Sequence, residues 1–189
     1  ARHGLEFVPV SDCFATAFPD GKWLGVSTDP ALTAARIAGE SAADAARWHE
    51  MLGEFAQDAP HIFSVLGSPM TPASLAKTAF RVWRSRDSAF LLKLARLMFT
   101  SPRAFLEENF ESPRVQAMCA AWGMHLDFPP DQSGGAVFPY LEAMANQSFG
   151  MVIGKGGADT VTRALRGMIE ARGGRIETGA EISEILVES

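Results

Sequence analysis

Prolines that directly follow helix-capping residues constrain the middle of this chain more strongly than any other feature. The four pairs are Asp29-Pro30, Thr71-Pro72, Ser101-Pro102 and Ser112-Pro113. A side-chain oxygen at the cap accepts a hydrogen bond from a free N–H of the first turn, and proline suits that turn because its missing N–H would have no partner there. The pattern therefore predicts that a helix begins at each pair.

The periodic spacing of apolar residues, together with glycines and prolines that interrupt it, extends this prediction to most of the chain. We expect helices over residues 30–38, 41–57, 72–83, 87–98, 101–109, 112–123 and 136–149. Ahead of them, three short runs of apolar alternation are typical of strands: Leu5–Val10, Cys13–Phe18 and Lys22–Ser27. The turn signal Pro19-Asp20-Gly21 lies between the last two runs. Residues 5–27 are therefore predicted to form a small antiparallel β-meander, and residues 30–149 a helical region.

Residues 150–189 follow a different pattern, with a glycine turn, an amphipathic helix, a second glycine turn and two strands. Asp159 or Thr160 is expected to cap the helix. Its apolar residues recur on one face at helical spacing: Val161, Leu165, Met168 and Ile169. Gly173 and Gly174 are expected to end it. Alternating residues over 175–178 and 181–187 predict the two strands.

The glycines before this helix match half of a dinucleotide-binding fingerprint. Gly154 and Gly156 supply the first two positions of G-x-G-x-x-G, but the third position is Asp159, whose carboxylate would repel a pyrophosphate. Glu177, at the end of the next predicted strand, is suitably placed to imitate a ribose-binding acid. A lone partial glycine motif is weak evidence for a complete site.

The same segment resembles the phytoene dehydrogenase-like branch of FAD-dependent oxidoreductases, relatives of carotenoid desaturases in the amine-oxidase superfamily. Three stretches carry the resemblance: GKGGADTVTRAL from Gly154, IEARGGRIET from Ile169 and AEISEI from Ala180. In that family a Gly-Gly turn opens a helix, another closes it, and a Val-x-x-Ile strand follows. Here Ala158 stands in the usual Met place, and Ile182 and Ile185 stand in the Val and Ile places.

The N-terminal half is similar to the family more loosely, in GLEF from Gly4, FPDGKWL from Phe18, residues 29–37 and SAADA from Ser41. The resemblance implies an α+β fold in which residues 1–149 form a mainly helical substrate-binding domain. Residues 150–189 would then return, as a helix–strand piece, into a Rossmann-like FAD-binding domain. It implies FAD as the cofactor of the parent protein and a hydrophobic small molecule as the substrate.

The resemblance also implies three cofactor-binding positions. Gly156 and Gly157 would let the backbone approach the flavin nucleotide because neither has a side chain, and the main chain at Ile182 would face the adenine. The family's N-terminal G-x-G-x-x-G motif and its last FAD-contacting segment do not occur in these 189 residues. We therefore expect a fragment of a flavoenzyme, which by itself binds FAD poorly or not at all.

Catalytic and metal-binding constellations are missing from the sequence. The four histidines show no metal-ligand spacing, and neither a G-x-S-x-G elbow nor a CxxC pair occurs. This is compatible with flavin chemistry, in which the isoalloxazine ring takes the hydride and the protein positions the substrate. Aromatic residues are expected to build the core, with some lining an apolar cavity: Phe63, Phe80, Trp83, Phe90, Phe99, Trp122, Phe138 and Phe149.

Residues 77–103 carry an excess of lysine and arginine that is interleaved with the apolar run Phe90–Phe99, although the whole chain has a net charge of −5. Two interpretations stay open. The segment rests on an anionic membrane as a basic amphipathic helix, or it is a core helix whose Lys and Arg stems reach water. Nucleic-acid binding is not expected, because the basic segment is short and the overall charge is acidic.

Length and composition indicate one globular domain, which we expect in the cytoplasm, with peripheral contact to a membrane left open. The chain has 189 residues, 47% of them hydrophobic, and no run of about 18 apolar residues that would span a bilayer. Cys13 and Cys119 lie far apart and are expected to be reduced buried thiols rather than a disulfide.

A non-enzymatic α+β module, either a carrier of hydrophobic ligands or a protein-interaction domain, is the alternative to the enzyme fragment. A self-contained module predicts no exposed apolar face over residues 150–189. The enzyme fragment predicts that this segment exposes apolar surface and tends to form a homodimer.

Overall fold

Three short strands, seven helices, a fourth strand and a last helix follow one another in the computed structural model, which describes residues 2–187. The described residues contain four strands: β1 (Phe7–Val10), β2 (Asp12–Ala17), β3 (Trp23–Ser27) and β4 (Met151–Gly154). They contain eight α-helices: α1 (Pro30–Ala38), α2 (Ala42–Leu66), α3 (Pro72–Ser85), α4 (Ser88–Phe99), α5 (Pro102–Asn109), α6 (Pro113–His125), α7 (Val137–Phe149) and α8 (Asp159–Glu170). A 3₁₀ turn, Arg2–Gly4, precedes β1. The α+β fold class is confirmed.

The predicted cap-and-proline pairs begin helices α1, α3, α5 and α6. Each capping side chain accepts a hydrogen bond from a backbone N–H of the first turn, as with Asp29 and the N–H of Ala31 at 2.9 Å. Ser41 and Asp87 cap α2 and α4 in the same way. The starts of the helices in the middle of the chain are thus decided by local hydrogen bonding.

Helix α2 is longer than predicted, because it continues through Pro60 to Leu66 instead of ending near residue 57. Proline costs a helix one hydrogen bond, which favours a break. The apolar stripe of α2, however, continues past it to the fully buried Ile62. Burial of that stripe offsets the missing bond.

Strands β1, β2 and β3 occur where they are expected, but they do not form a three-stranded meander, and β4 was not predicted. β2 and β3 form an antiparallel hairpin with Asp12 opposite Ser27 and Ala17 opposite Trp23. β1 instead pairs with β4, far along the chain. Pro9 has no N–H to donate, which suits an edge position in a small sheet. Apolar alternation thus predicted where β1, β2 and β3 lie, but it did not predict which strands pair with each other.

The described chain divides into two compact units. One, the helical unit, comprises residues 11–151, and the other, the small unit, combines residues 2–10 with residues 152–187. The assignment of a substrate-binding role to residues 1–149 and an FAD-domain role to residues 150–189 stays a prediction. Residues 2–10 belong to the same unit as the C-terminal residues, which the sequence did not indicate.

The core of the helical unit is organised around α2. Its buried side includes Trp48, Met51, Phe55 and Ile62, each almost fully shielded from solvent. α2 packs against α1 and α7. The two cysteines are separate buried thiols, as expected, and burial raises the pKa of the Cys119 thiol to about 12.

The small unit contains β1, β4, a glycine turn and α8, and it corrects two expectations. Neither Asp159 nor Thr160 caps α8: Ala158 is at the cap position without a side-chain hydrogen bond, and Asp159 lies inside the helix, paired with Arg163. The strands expected over 175–178 and 181–187 are wrong, since the structure has no strand between residues 171 and 187. A strand needs a hydrogen-bonding neighbour, and apolar alternation alone does not supply one.

Asp44 provides a test of how the helical unit is held together. Its side chain is buried at the start of α2, and its two carboxylate oxygens accept from the backbone N–H groups of Glu111 and Ser112, at 2.7 and 2.9 Å. We expect Asp44→Ala to lower the free energy of unfolding by about 2–4 kcal/mol, because it leaves two N–H groups without partners. Urea titration followed by circular dichroism measures this.

The matched control for Asp44 is Asp131→Ala, which removes an exposed carboxylate that pairs with Arg103. Its effect is expected to stay below about 1 kcal/mol. Equal losses in the two variants would contradict the role given to Asp44.

Candidate functional site

One face of α2 carries charged side chains beside its apolar stripe. Arg47, Met51, Glu54 and Asp58 recur at helical spacing and line a cavity of about 300 Å³ in the helical unit. Helices α4, α5 and α7 provide the remaining walls. The residues of those walls are Lys93, Arg96, Leu97, Thr100, Phe105, Glu108, Asn109 and Tyr140.

A continuous chain of charged hydrogen bonds crosses the wall of this cavity. Arg47 Nη1 donates to Glu54 Oε1 at 2.7 Å, and Lys93 Nζ donates to the other Glu54 oxygen, Oε2, at 2.7 Å. Lys93 Nζ also donates to Asp58 Oδ2 at 3.0 Å. The hydroxyl of Tyr140, on α7, donates to the same Asp58 oxygen at 2.8 Å. Side chains from α2, α4 and α7 are thereby joined in one network.

The network changes the protonation behaviour of its members. Burial by itself raises the pKa of Glu54, but hydrogen bonds from Lys93 and Arg47 outweigh it, so that the pKa lies below its ordinary value. Burial alone lowers the pKa of Lys93, and the hydrogen bonds to Glu54 and Asp58 reverse this to a raised pKa. Burial and the bond to Asp58 raise the pKa of Tyr140. At neutral pH the network therefore holds a carboxylate at Glu54, an ammonium at Lys93 and a neutral phenol at Tyr140.

Asp58 is the most deeply placed charge of the network, with only 6% of its side chain exposed. Within residues 2–187, both hydrogen bonds to its carboxylate go to Oδ2 and none goes to Oδ1. An acceptor in the wall of a cavity and without a protein donor is suited to bind an N–H or O–H of a ligand.

The cations around the cavity are already neutralised. Arg47 contacts Glu50 and Glu54, Lys93 contacts Glu54 and Asp58, and Arg96 Nη2 lies 2.6 Å from Glu108 Oε1. An anionic ligand would have to displace one of these carboxylates. Met51, Leu97 and Phe105 add apolar surface to the same cavity. Its chemistry fits a neutral, mostly apolar molecule with one hydrogen-bond donor.

Gly156 and Gly157 lie in the turn between β4 and α8, at φ angles of +91° and +110°. Residues with a side chain rarely adopt this conformation, so glycine is required there by the turn itself. The turn is tight: a Cβ on Gly154 would lie 2.3 Å from Cγ2 of Thr160. The turn itself requires glycine at these two positions, and a close approach of the backbone to a nucleotide would require glycine there as well.

Ile182 lies in the segment without secondary structure that follows α8, and its side chain is 72% exposed. Because the expected strand does not form, the main chain at Ile182 is not held in a sheet in the described residues. The role of Ile182 at the adenine, like the FAD roles of the two glycines, stays a prediction.

The aromatic residues expected to line an apolar cavity do not line the one described above. In the described part of the chain, the two aromatic side chains in its wall are Phe105 and Tyr140, neither of which was in the predicted set. The sequence signal that was missed is the spacing of Arg47, Glu54 and Asp58 on one helix. Charges at such spacing usually mark a solvated helix face. They indicate a cavity wall only when the positions of α4 and α7 are known.

Lys93 provides a stability test of the network. We expect Lys93→Met to lower the free energy of unfolding by about 1–2 kcal/mol, because it leaves the buried Asp58 carboxylate without its cation. The expected loss of stability is small because solvent screens the half-exposed ammonium. Arg96→Met, on the same cavity wall with an exposed partner, is the control and should cost less than about 0.5 kcal/mol. A double variant that adds Asp58→Asn should be less destabilised than the sum of the two single variants.

The contribution of the network should depend on pH in a defined direction. The lowered pKa of Glu54 means that its contribution is complete above its ordinary pKa of 4.5 and lost as the pH falls through the lower folded-state value. The raised pKa of Lys93 means that its contribution is complete below its ordinary pKa of 10.5 and lost as the pH rises through the higher folded-state value. The stability difference between the native protein and Lys93→Met should therefore be constant between these limits and shrink outside them. A difference that changes near pH 7 would contradict the described pairing.

Comparison of the chain with protein-family models, curated proteins and solved structures finds no match.

Proposed function

We propose that this chain is the substrate-binding portion of an FAD-dependent oxidoreductase similar to the phytoene dehydrogenase-like enzymes, acting on a hydrophobic molecule in the cytoplasm. FAD would be held jointly with a nucleotide-binding portion outside these 189 residues. Gly156 and Gly157 would bring the backbone close to the nucleotide, and the main chain at Ile182 would approach the adenine. The residues described here would bind and orient the substrate, while the flavin accepts the hydride.

The exposed apolar face of α8 is the observation that carries this proposal. Val161, Leu165, Met168 and Ile169 lie on one side of the helix and are each between 39% and 53% exposed. Beyond them, the segment around Ile185 is also apolar and open to solvent. A self-contained module would bury such a face, whereas a helix of a larger nucleotide-binding domain buries it against a sheet.

The local geometry of the small unit supports the same proposal. A turn with two positive-φ glycines leads directly into a helix, as the resemblance implies, and a short strand precedes the turn. The carboxylate of Asp159, which would repel a phosphate, is paired with Arg163. Its charge is therefore partly compensated, which weakens the main electrostatic objection to a nucleotide near this turn.

The cavity of the helical unit supplies a place for part of a hydrophobic substrate. Met51, Leu97 and Phe105 would contact the apolar body of the substrate, and Asp58 Oδ1 would accept from a donor at its polar end. The paired cations make the cavity a poor site for a carboxylate or phosphate.

A non-enzymatic hydrophobic-ligand carrier is the second candidate, and one observation favours it. The described lining of the cavity comes from residues 47–140, all within the helical unit, so that ligand binding there needs no flavin and no second domain. The carrier predicts a colourless protein with full ligand affinity, whereas the oxidoreductase predicts bound flavin and turnover.

The absorption spectrum of the protein expressed from its whole gene tests the proposal. We expect a product with visible flavin absorbance, and we expect Gly156→Val to reduce the flavin retained after gel filtration by about tenfold or more, because the side chain would intrude between the backbone and the nucleotide. Gly173→Val is the matched control. Gly173 also has a positive φ, of +78°, and lies in the same unit, but at the opposite end of α8.

Two results would count against the flavin proposal. A purified whole-gene product without flavin absorbance, even after incubation with FAD, would favour the carrier. Equal flavin loss in the Gly156 and Gly173 variants would show that backbone strain, rather than contact with the nucleotide, explains the effect.

Light scattering provides a second test. The 189-residue chain alone is expected to form a homodimer through the α8 face, and this homodimer should be absent in the whole-gene product.

A further inference from the structure

Helix α3 has an outward face on which aromatic and basic side chains are mixed. We call it the α3 aromatic–basic face and define it as Lys77, Phe80, Arg81, Trp83 and Arg84. The buried side of the helix consists of Thr78 and Val82. Phe80 lies two residues before Val82, and Trp83 lies one residue after it. Because each residue of a helix is rotated by about 100° from the last, both side chains point away from the core.

The two aromatic side chains of this face are open to solvent. Phe80 is 60% exposed and Trp83 is 49% exposed. Their ring centroids are 5.8 Å apart, so that they form one apolar patch. Trp83 Nε1 donates to the hydroxyl of Ser88 at 3.2 Å, which satisfies the polar atom of the indole without burying its ring. Helix α4, which contains the apolar run Phe90–Phe99, differs from α3 because it packs against the core, with Leu94 buried.

The cations of the face are also free. Within residues 2–187, no carboxylate lies within 4.0 Å of the side-chain nitrogens of Lys77, Arg81 or Arg84. The other basic residues of the segment 77–103 contact residues of the fold: Arg86 lies over the ring of Phe90, Lys93 pairs inside the cavity network, Arg96 pairs with Glu108, and Arg103 pairs with Asp131. The basic segment thus separates into cations used within the fold and cations that remain available on α3.

Free cations beside exposed Trp and Phe are the composition of helices that lie in a membrane interface. The aromatic rings enter the boundary between headgroups and acyl chains, and the cations contact lipid phosphates and carboxylates. α3 has 14 residues and is therefore about 21 Å long, which suits a helix lying in the membrane plane. In the described residues, no helix combines the length and apolar character needed to cross a bilayer.

Charge complementarity selects the surface that this face fits. The whole chain has a net charge of −5, so that general electrostatic attraction to an anionic surface is not expected, and a local cluster must supply it. Single-stranded nucleic acid also binds basic and aromatic residues, but it does so in a basic groove that follows its backbone. Here the cations and the two rings share one exposed face of a single helix.

We infer that the α3 aromatic–basic face docks this protein peripherally on a membrane surface that contains anionic lipid. The inference does not depend on flavin, because it rests on α3 alone. It fits the proposed hydrophobic substrate, which would be taken from the same membrane.

Co-sedimentation with lipid vesicles tests the inference on the full chain. We expect binding to phosphatidylcholine vesicles with about 30% phosphatidylserine, and much weaker binding to phosphatidylcholine alone or at high salt. The triple variant Lys77→Gln, Arg81→Gln, Arg84→Gln should reduce partitioning to the anionic vesicles roughly 100-fold. The double variant Phe80→Ser, Trp83→Ser should reduce it at least roughly tenfold.

The matched control removes the same charge elsewhere. Arg103, Arg163 and Arg166 are exposed and paired with acidic neighbours, so their joint change to Gln alters the net charge equally. This control should keep at least about half of the binding. Circular dichroism and thermal melting of each variant separate a loss of docking from a loss of folding.

Several outcomes would overturn the inference. They are equal binding of the triple variant and the control, equal binding to neutral and anionic vesicles, or no binding by the folded native protein. Binding of a single-stranded oligonucleotide that is lost in the same two α3 variants, without vesicle binding, would assign the face to nucleic acid instead.

Discussion

The burial of one continuous stripe of α2 is the interaction on which the helical unit depends. Trp48, Phe55 and Ile62 fix this helix against its neighbours, and their burial carries the helix through Pro60. Glu54 and Asp58 lie on the same helix beside this stripe and contact side chains of α4 and α7. The cavity is therefore a consequence of how the core is packed.

Charged side chains are treated differently at the cavity and at the α3 aromatic–basic face, the two candidate sites: those at the cavity are paired, and those on α3 are not. At the cavity, Asp58 is nearly buried, and two donors, Lys93 and Tyr140, compensate its desolvation. On α3, Arg81 and Arg84 are exposed to solvent and have no carboxylate partner in the described residues. Paired charges stabilise a fixed geometry, whereas free charges next to exposed rings are available to a partner. The same basic segment contributes to both.

The small unit shows how strongly strands depend on their surroundings. Alternation over 175–187 predicts strands that the structure does not contain, and β1 pairs with β4 although the nearest strand in sequence is β2. The exposed apolar face of α8 belongs to the same unit. The missing strands and the exposed face of α8 are both expected if these residues add to the sheet of the proposed flavoenzyme.

The sequence by itself determined the features that depend on neighbours within one helical turn. Asp29, Ser101 and their counterparts hydrogen-bond to N–H groups two or three residues away, and the positive φ of Gly156 and Gly157 is a local backbone demand, so both were accessible to sequence reasoning. Only the tertiary structure decided which strands pair, how far α2 extends and which charges meet. Lys93 and Asp58 are 35 residues apart in sequence, and whether they form a cavity wall or a solvated surface depends on packing between helices that no local pattern records.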